Sequence, residues 1–286
     1  MEWINKTDVL IVGLGLLGGS YAKALKRLGY HVEAIDIRKE AIDYATANGI
    51  IDAGFDHVNP EAIGKADAVI FALYPDVFLK WIRENQKHFK KGAYITDVTG
   101  VKKAIVYEIQ SFLRDDVEYI AAHPMAGREV GGVENSNDAI FRDANYLVVP
   151  TEKNTEKGIE WCRRLGMILG FARISVLTPE EHDEMIGFVS QLTHVISVAL
   201  MTCKDNAHLS DYTGDSFRDL TRIARINDKL WSELFLMNRE ALLDQMDIFI
   251  REMNELRDII AAKDEEKLRE KLRLSCARRA IFDKNK

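Results

Sequence analysis

Short apolar runs rich in β-branched residues alternate with helical stretches through the first part of the chain, at residues 9–12, 32–35, 68–72, 93–96, 119–122 and 146–149. Strand and helix in alternation predict a parallel, doubly wound sheet of the Rossmann type. Beyond residue 174 the strand signal stops and long amphipathic periods replace it. Thr178-Pro179-Glu180-Glu181 combines a Thr N-cap, Pro at the first helical position and Glu at the third, which is a strong helix start. Met185, Phe188, Val189, Leu192, Val195, Ile196, Ala199 and Leu200 then recur at helical spacing. Ser216 with Asp219 opens another helix. Leu242, Met246, Phe249, Met253, Leu256 and Ile260 follow at intervals of 4, 3, 4, 3 and 4, a narrow seam suited to helix-on-helix packing. The fold class is therefore α/β, with an N-terminal Rossmann-type domain over residues 1–174 and an all-helical domain over 175–286. Such a helical half needs a partner for its second apolar face, so the expected assembly is a homodimer.

Composition agrees with a folded chain: 47% of the 286 residues are hydrophobic and 29% charged. With 39 basic against 45 acidic residues the net charge is −6, which offers no basic footprint for nucleic acid. Three scattered cysteines, Cys162, Cys203 and Cys276, form no disulfide framework and no zinc motif, so no metal is expected and a reducing compartment fits. The polar start, residues 1–7, does not resemble a signal peptide, and no apolar run looks long enough to span a membrane. The expectation is a cytoplasmic protein with no membrane partner. With the sequence ending at Lys286 soon after the helical region, no further regulatory domain of ordinary size is expected.

The first chemistry lies where residues 9–12 run into Gly13-Leu14-Gly15-Leu16-Leu17-Gly18 and then a helix. Gly13 permits the tight turn, Gly15 lets a pyrophosphate approach, and Gly18 lets helix and strand pack closely. The helix N-terminus presents free N–H groups and a positive dipole end to the phosphates. Asp36 ends the next strand 18 residues beyond Gly18, placed to accept hydrogen bonds from a ribose diol. A carboxylate there repels a 2′-phosphate, so NAD is expected over NADP; Arg38, two residues on, is the group that could receive that phosphate.

Of seven histidines, His31, His57 and His88 fall among polar or loop residues, and His182 in a helical first turn reads as packing or hydrogen bonding there. His208 has no evident role. His123 directly follows an apolar run, at the carboxyl end of a strand where parallel sheets bind ligands. Its imidazole can take a proton near neutral pH, or it can simply cap the loop. Ser190, His194 and Ser197 lie at i, i+4 and i+7, with Gly187 one step earlier, making a polar stripe on an apolar helix that is read as lining a site. Arg218, Arg222 and Arg225 share another helix. Three such arginines form a solvated face or place one bidentate clamp for a carboxylate.

Together these segments resemble the prephenate and arogenate dehydrogenase family of tyrosine biosynthesis. The likeness rests on the glycine turn with Asp36, on Asp97-Val98-Thr99-Gly100-Val101-Lys102, and on His123-Pro124-Met125-Ala126-Gly127. It continues through Glu181-His182-Asp183, Ser190-Gln191-Leu192-Thr193-His194, and Phe217-Arg218-Asp219-Leu220-Thr221-Arg222-Ile223-Ala224 with Trp231. The resemblance implies a small-molecule substrate, prephenate or arogenate, oxidised by NAD with loss of CO2. It implies that His123 accepts the ring-hydroxyl proton and that Arg222 binds the ring carboxylate. His194 and Ser190 would face the side-chain carboxylate, and Trp231 would reach a neighbouring subunit's pocket. The family often has Gly-Ser where this chain has Thr99-Gly100, so Thr99 is expected to supply the hydroxyl that helps hold the histidine and the nicotinamide. Glu129 or Arg128 would bias the choice between the keto and the amino substrate.

Two rivals are weighed. A β-hydroxyacid dehydrogenase would ordinarily use a lysine on the helical domain, and residues 185–201 contain none. A non-catalytic dinucleotide sensor would have no need of His123, His194 and Arg222 together.

Overall fold

The computed structural model describes residues 3, 7–128, 130–204 and 208–281. The strands are β1 (Asp8–Val12), β2 (His31–Ile35), β3 (Ala53–Phe55), β4 (Ala68–Phe71), β5 (Tyr94–Asp97), β6 (Glu118–Tyr119), β7 (Ala121–Pro124), β8 (Asn145–Val149) and β9 (Arg173–Val176). The α-helices are α1 (Leu16–Arg27), α2 (Lys39–Ala47), α3 (Pro60–Lys65), α4 (Pro75–Asn85), α5 (Lys103–Phe112), α6 (Glu156–Leu169), α7 (Pro179–Ile186), α8 (Thr193–Thr202), α9 (Asp215–Thr221), α10 (Asp228–Met237), α11 (Arg239–Ala261) and α12 (Glu265–Ala280). Two compact units result, residues 1–238 and 239–286.

In the first unit six parallel strands lie in the order β3-β2-β1-β4-β5-β6. Alternation along β1 feeds both faces. Val9 and Ile11 join a core with residues of α1, α2 and α6, while Leu10 and Val12 join another with residues of α3, α4 and α5. Such two-sided burial is why these strands read as continuous apolar runs.

The expectation of one parallel sheet needs a correction. The run 119–122 divides at Ile120, and β7 leaves to pair antiparallel with β8, making a second sheet β7-β8-β9. That turn away from the main sheet carries His123 onto its own strand. β3 and β9 went unread because both are short and none of their residues is fully buried, so neither gives a continuous apolar signal.

The capping box expected at Thr178 is present, with Thr178 accepting from Glu181 N–H and Glu181 accepting from Thr178 N–H. The helical run beyond it is interrupted by a π-helical turn, Gly187–Leu192. As a whole, Pro179–Thr202 is long and apolar enough, by length and composition, to cross a membrane, which corrects the expectation that no run reaches that length. Its polar stripe points inward: Gly187 and Ser197 are buried and Ser190 and His194 partly so. Met185, Phe188, Val189 and Met201 point outward and are 50%, 54%, 47% and 42% exposed.

The second unit is α11, a short turn, and α12. Lys263 in the turn takes a left-handed φ of 55°, and Lys271 bridges Glu252 (3.1 Å) and Glu255 (2.8 Å). On the expected seam, Met253 and Ile260 are exposed at 51% and 60%.

Candidate active site

The glycine turn is built as its sequence requires. Gly13 has a φ of 99°, open to glycine but strained for other residues, and donates its N–H to the Ile35 carbonyl (2.8 Å). A Cβ at Gly13 would press on the Ala72 carbonyl, and one at Gly18 on the Gly13 carbonyl. A Cβ at Gly15 would meet nothing within 4 Å. Packing thus demands the outer two glycines, while the middle one borders open space. No side chain caps α1, and its first turn carries no acidic residue, so its N-terminal N–H groups and dipole stay available to an anion.

Asp36 is buried beside the turn and accepts from Leu14 N–H (2.6 Å) and Arg38 N–H (2.8 Å). The Arg38 guanidinium donates to Asp36 (3.3 Å) and to the Leu14 carbonyl (2.8 Å). Both polar groups of the Leu14 backbone are therefore used within the chain, and its side chain lies in the core. Leu16 and Leu17 remain partly exposed at the start of α1. These residues fit a dinucleotide: the free helix end would suit a pyrophosphate and the Asp36 carboxylate a ribose.

His123 sits on β7, partly buried. Its Nδ1 lies 2.9 Å from Nε2 of His182, whose Nδ1 in turn lies 2.7 Å from Asp183 Oδ1. Asp183 also accepts the backbone N–H of Lys102 (2.8 Å) and of Lys103 (2.9 Å) at the start of α5. Asn238 donates to the Asp183 carbonyl (2.9 Å) and to Gln191 (2.8 Å), tying the end of α10 to the same place. A Cβ at Gly100 would stand 3.9 Å from His123 Cε1, so the Thr99-Gly100 loop borders the ring.

Beneath this chain lies a buried ion pair. Asp97 accepts from Lys102 Nζ (2.6 Å), Tyr119 OH (2.9 Å) and the backbone N–H groups of Thr99 (2.9 Å) and Ala122 (3.3 Å). The Thr99 hydroxyl also donates to Asp97 and accepts from Lys102 (3.1 Å). That hydroxyl is therefore engaged with Asp97 and Lys102. Removing one partner of such a pair would strand a buried charge at a cost of about 3–5 kcal/mol.

Electrostatics follow from burial. Burial, with His182 and Lys102 nearby, holds the His123 imidazole well below the usual histidine value. Burial also lowers His182, against the pull of Asp183. Lys102 is pushed down by burial and partly restored by Asp97. Cys162, enclosed in the core, is pushed up to about 12 and is an inert thiol. The His123 ring is thus neutral at physiological pH and able to accept a proton.

Other expected site residues fall on the helical segments. His194 Nδ1 contacts the Ser190 carbonyl (2.9 Å) across the end of the π-helical turn, a geometry frequent at functional sites. Trp231 stacks on His194 of its own chain, with ring centroids 3.6 Å apart and 29° between planes, so the indole expected to reach a neighbouring subunit is engaged here. The turn Arg222–Ala224 packs against α8, with Arg222 exposed. Arg128 is exposed, and Glu129 lies outside the described residues.

His182, read from sequence as packing or hydrogen bonding in a first turn, is brought to His123 across 59 residues of chain, with Asp183 behind it. The available signal was a His-Asp pair in the first turn after a capping box.

The fold and the glycine turn define a nucleotide-binding α/β protein with a histidine-centred site and a helical continuation. Residues 21–170 match the family model for the prephenate dehydrogenase nucleotide-binding domain, and residues 178–274 match the prephenate dehydrogenase dimerization domain. The chain belongs to the prephenate dehydrogenase family. It is 29% identical to prephenate dehydrogenase of Bacillus subtilis over 92% of this chain and 72% of that protein. It is 28% identical to cyclohexadienyl dehydrogenase of Zymomonas mobilis over 90% of this chain and 89% of that one. Prephenate dehydrogenase from A. aeolicus, solved with hydroxyphenyl propionate and NAD+, is 30% identical and superposes with a TM-score of 0.89 over 99% of this chain and 100% of that chain.

Proposed function

We propose that this chain catalyses the NAD-dependent oxidative decarboxylation of prephenate to 4-hydroxyphenylpyruvate, in tyrosine biosynthesis. The observation that carries this reading is His123, a neutral imidazole tied through Nδ1 to His182, with its ring bordering the Thr99-Gly100 loop. NAD, when bound, supplies the hydride acceptor. Gly13, Leu14, Gly15, Leu16, Leu17 and Gly18 form its pyrophosphate turn, and Asp36 with Arg38 takes the ribose. Thr99 holds the loop in place from below, through Asp97 and Lys102.

His123 accepts the ring-hydroxyl proton and so removes the charge that would oppose hydride departure. Arg222 pairs with the ring carboxylate, orienting the group that leaves as CO2. Very tight ground-state binding there would slow its departure, so an exposed arginine suits the step. His194 and Ser190 face the side-chain carboxylate end with Trp231 stacked behind, and Glu129 helps select the side chain. Residues 1–174 are assigned to the dinucleotide and residues 175–286 to substrate and dimerisation.

The assembly is a cytoplasmic homodimer, and the apolar residues left outside on α7 to α8 are the surface a second copy would cover. Following NADH at 340 nm with prephenate and then arogenate, each with NAD and NADP, tests the reading. Prephenate with NAD should give the highest kcat/KM. A preference for arogenate moves the substrate assignment to that compound, and a preference for NADP overturns the role of Asp36.

A further inference from the structure

We propose that His182, held by Asp183, sets the tautomer of His123: it accepts a hydrogen bond from His123 Nδ1–H and so leaves the Nε2 lone pair for the substrate. The inference rests on reading His123 as the general base.

The hydrogen-bond chain admits one arrangement of protons when both rings are neutral. The Asp183 carboxylate oxygen accepts, so the 2.7 Å contact requires a hydrogen on His182 Nδ1. A neutral His182 then has a lone pair on Nε2. The 2.9 Å contact between the rings therefore needs its hydrogen on His123 Nδ1, and His123 Nε2 is bare. Free imidazole side chains prefer the opposite form, with the proton on Nε2, which could not accept from a substrate hydroxyl. The fold thus reverses an intrinsic preference, and the reversal has a rigid support. Asp183 is gripped by two N–H groups at the start of α5, and His182 is fully buried.

The other charged groups around the pair are Lys102 at the start of α5 and Asp97 at the end of β5, joined to each other. The proton balance is simple. The substrate hydroxyl gives its proton to His123 Nε2, the resulting imidazolium keeps its Nδ1 hydrogen directed at His182, and no further bond is made or broken. His182 is a positioning residue and touches neither substrate nor cofactor.

The test is the tautomer itself, read from long-range ¹H–¹⁵N spectra of histidine-labelled protein, with His123→Asn identifying the His123 signals. Wild-type His123 should be protonated on Nδ1. In His182→Met, which offers no comparable acceptor, the signals should move to the Nε2-protonated form, and kcat should fall about 10²-fold with KM changed less than about twofold. His182→Gln keeps a carbonyl acceptor at similar reach and should restore both the Nδ1 form and most of kcat. Finding Nε2 protonated in the wild type overturns the proposal. So does a His182→Met variant that keeps either the Nδ1 form or wild-type kcat. Should the tautomers follow this pattern while His123→Asn retains full turnover, the tautomer control stands and the base assignment fails.

Discussion

The main sheet and the helical stretch 179–202 belong to one compact unit, yet they distribute their apolar residues in opposite ways. Every residue of β4 is buried, and Leu10 and Ile11 of β1 are wholly enclosed. On the helical stretch Ser197 is enclosed while Phe188 is 54% exposed. A sheet covered on both faces by its own helices is complete within one chain. The helical stretch keeps its polar stripe for the interior of the unit and, although Ile186 and Leu192 are buried, leaves Met185, Phe188, Val189 and Met201 outside, an arrangement that costs free energy in water unless another surface covers them. The difference separates what one chain builds alone, a nucleotide turn and a held histidine, from an apolar face that the chain leaves uncovered.

The sharpest way to break this comparison is at His123, which hangs from the self-sufficient half. His123→Asn should lower kcat by about 10²–10⁴-fold with KM little changed, measured as NADH formation, because a positioned base acts in the chemical step. Comparable losses in KM would show that the histidine works in binding. Next in size is the outward helical face. Phe188→Glu should weaken self-association by about 10²-fold or more in sedimentation experiments, since a carboxylate cannot be buried there unpaired. An unchanged assembly would place the dimer contact elsewhere.

A third variant separates packing from ligand contact inside the glycine turn. Gly15→Ala should leave Tm within about 2 °C of wild type, as its Cβ meets nothing, while weakening NAD about tenfold through approach to the pyrophosphate. Gly18→Ala should lower Tm instead, because its Cβ presses on the Gly13 carbonyl. Equal effects of the two on Tm would contradict the division.

The smallest effect is the pH dependence. His123 is held below its unfolded value of about 6.5, so between the two values the unfolded chain binds more protons. The stability due to the neutral ring is complete above about pH 6.5 and is lost as pH falls toward the folded value. The acid limb of kcat/KM should accordingly lie below pH 6.5. A limb above that value would mean that His123 is not the titrating base.

The legible parts of this molecule were local. Gly13 to Gly18 with Asp36 could be read because strand, turn and helix follow one another directly, and the Thr178 box because its partners are three residues apart. His123 stood out as the residue ending an apolar run, although the antiparallel turn that places it on β7 gave no signal of its own. The π-helical turn was hidden because a helical period and a single widened turn look alike in apolar spacing. The His182 and Asp183 support was hidden for another reason: its meaning lies in partners far away in sequence, His123 on β7 and the first N–H groups of α5. Thr99 was visible as a residue near the site, but the buried hydrogen bonds of its hydroxyl with Asp97 and Lys102 were not.

The central claim is that hydride loss and decarboxylation of one substrate are coupled at this site. It is tested most directly by measuring NADH and CO2 together in one reaction with prephenate and NAD. The expected result is one CO2 released for each NADH formed, from the first turnover onward. NADH without CO2, or neither product above the enzyme-free blank, would contradict it.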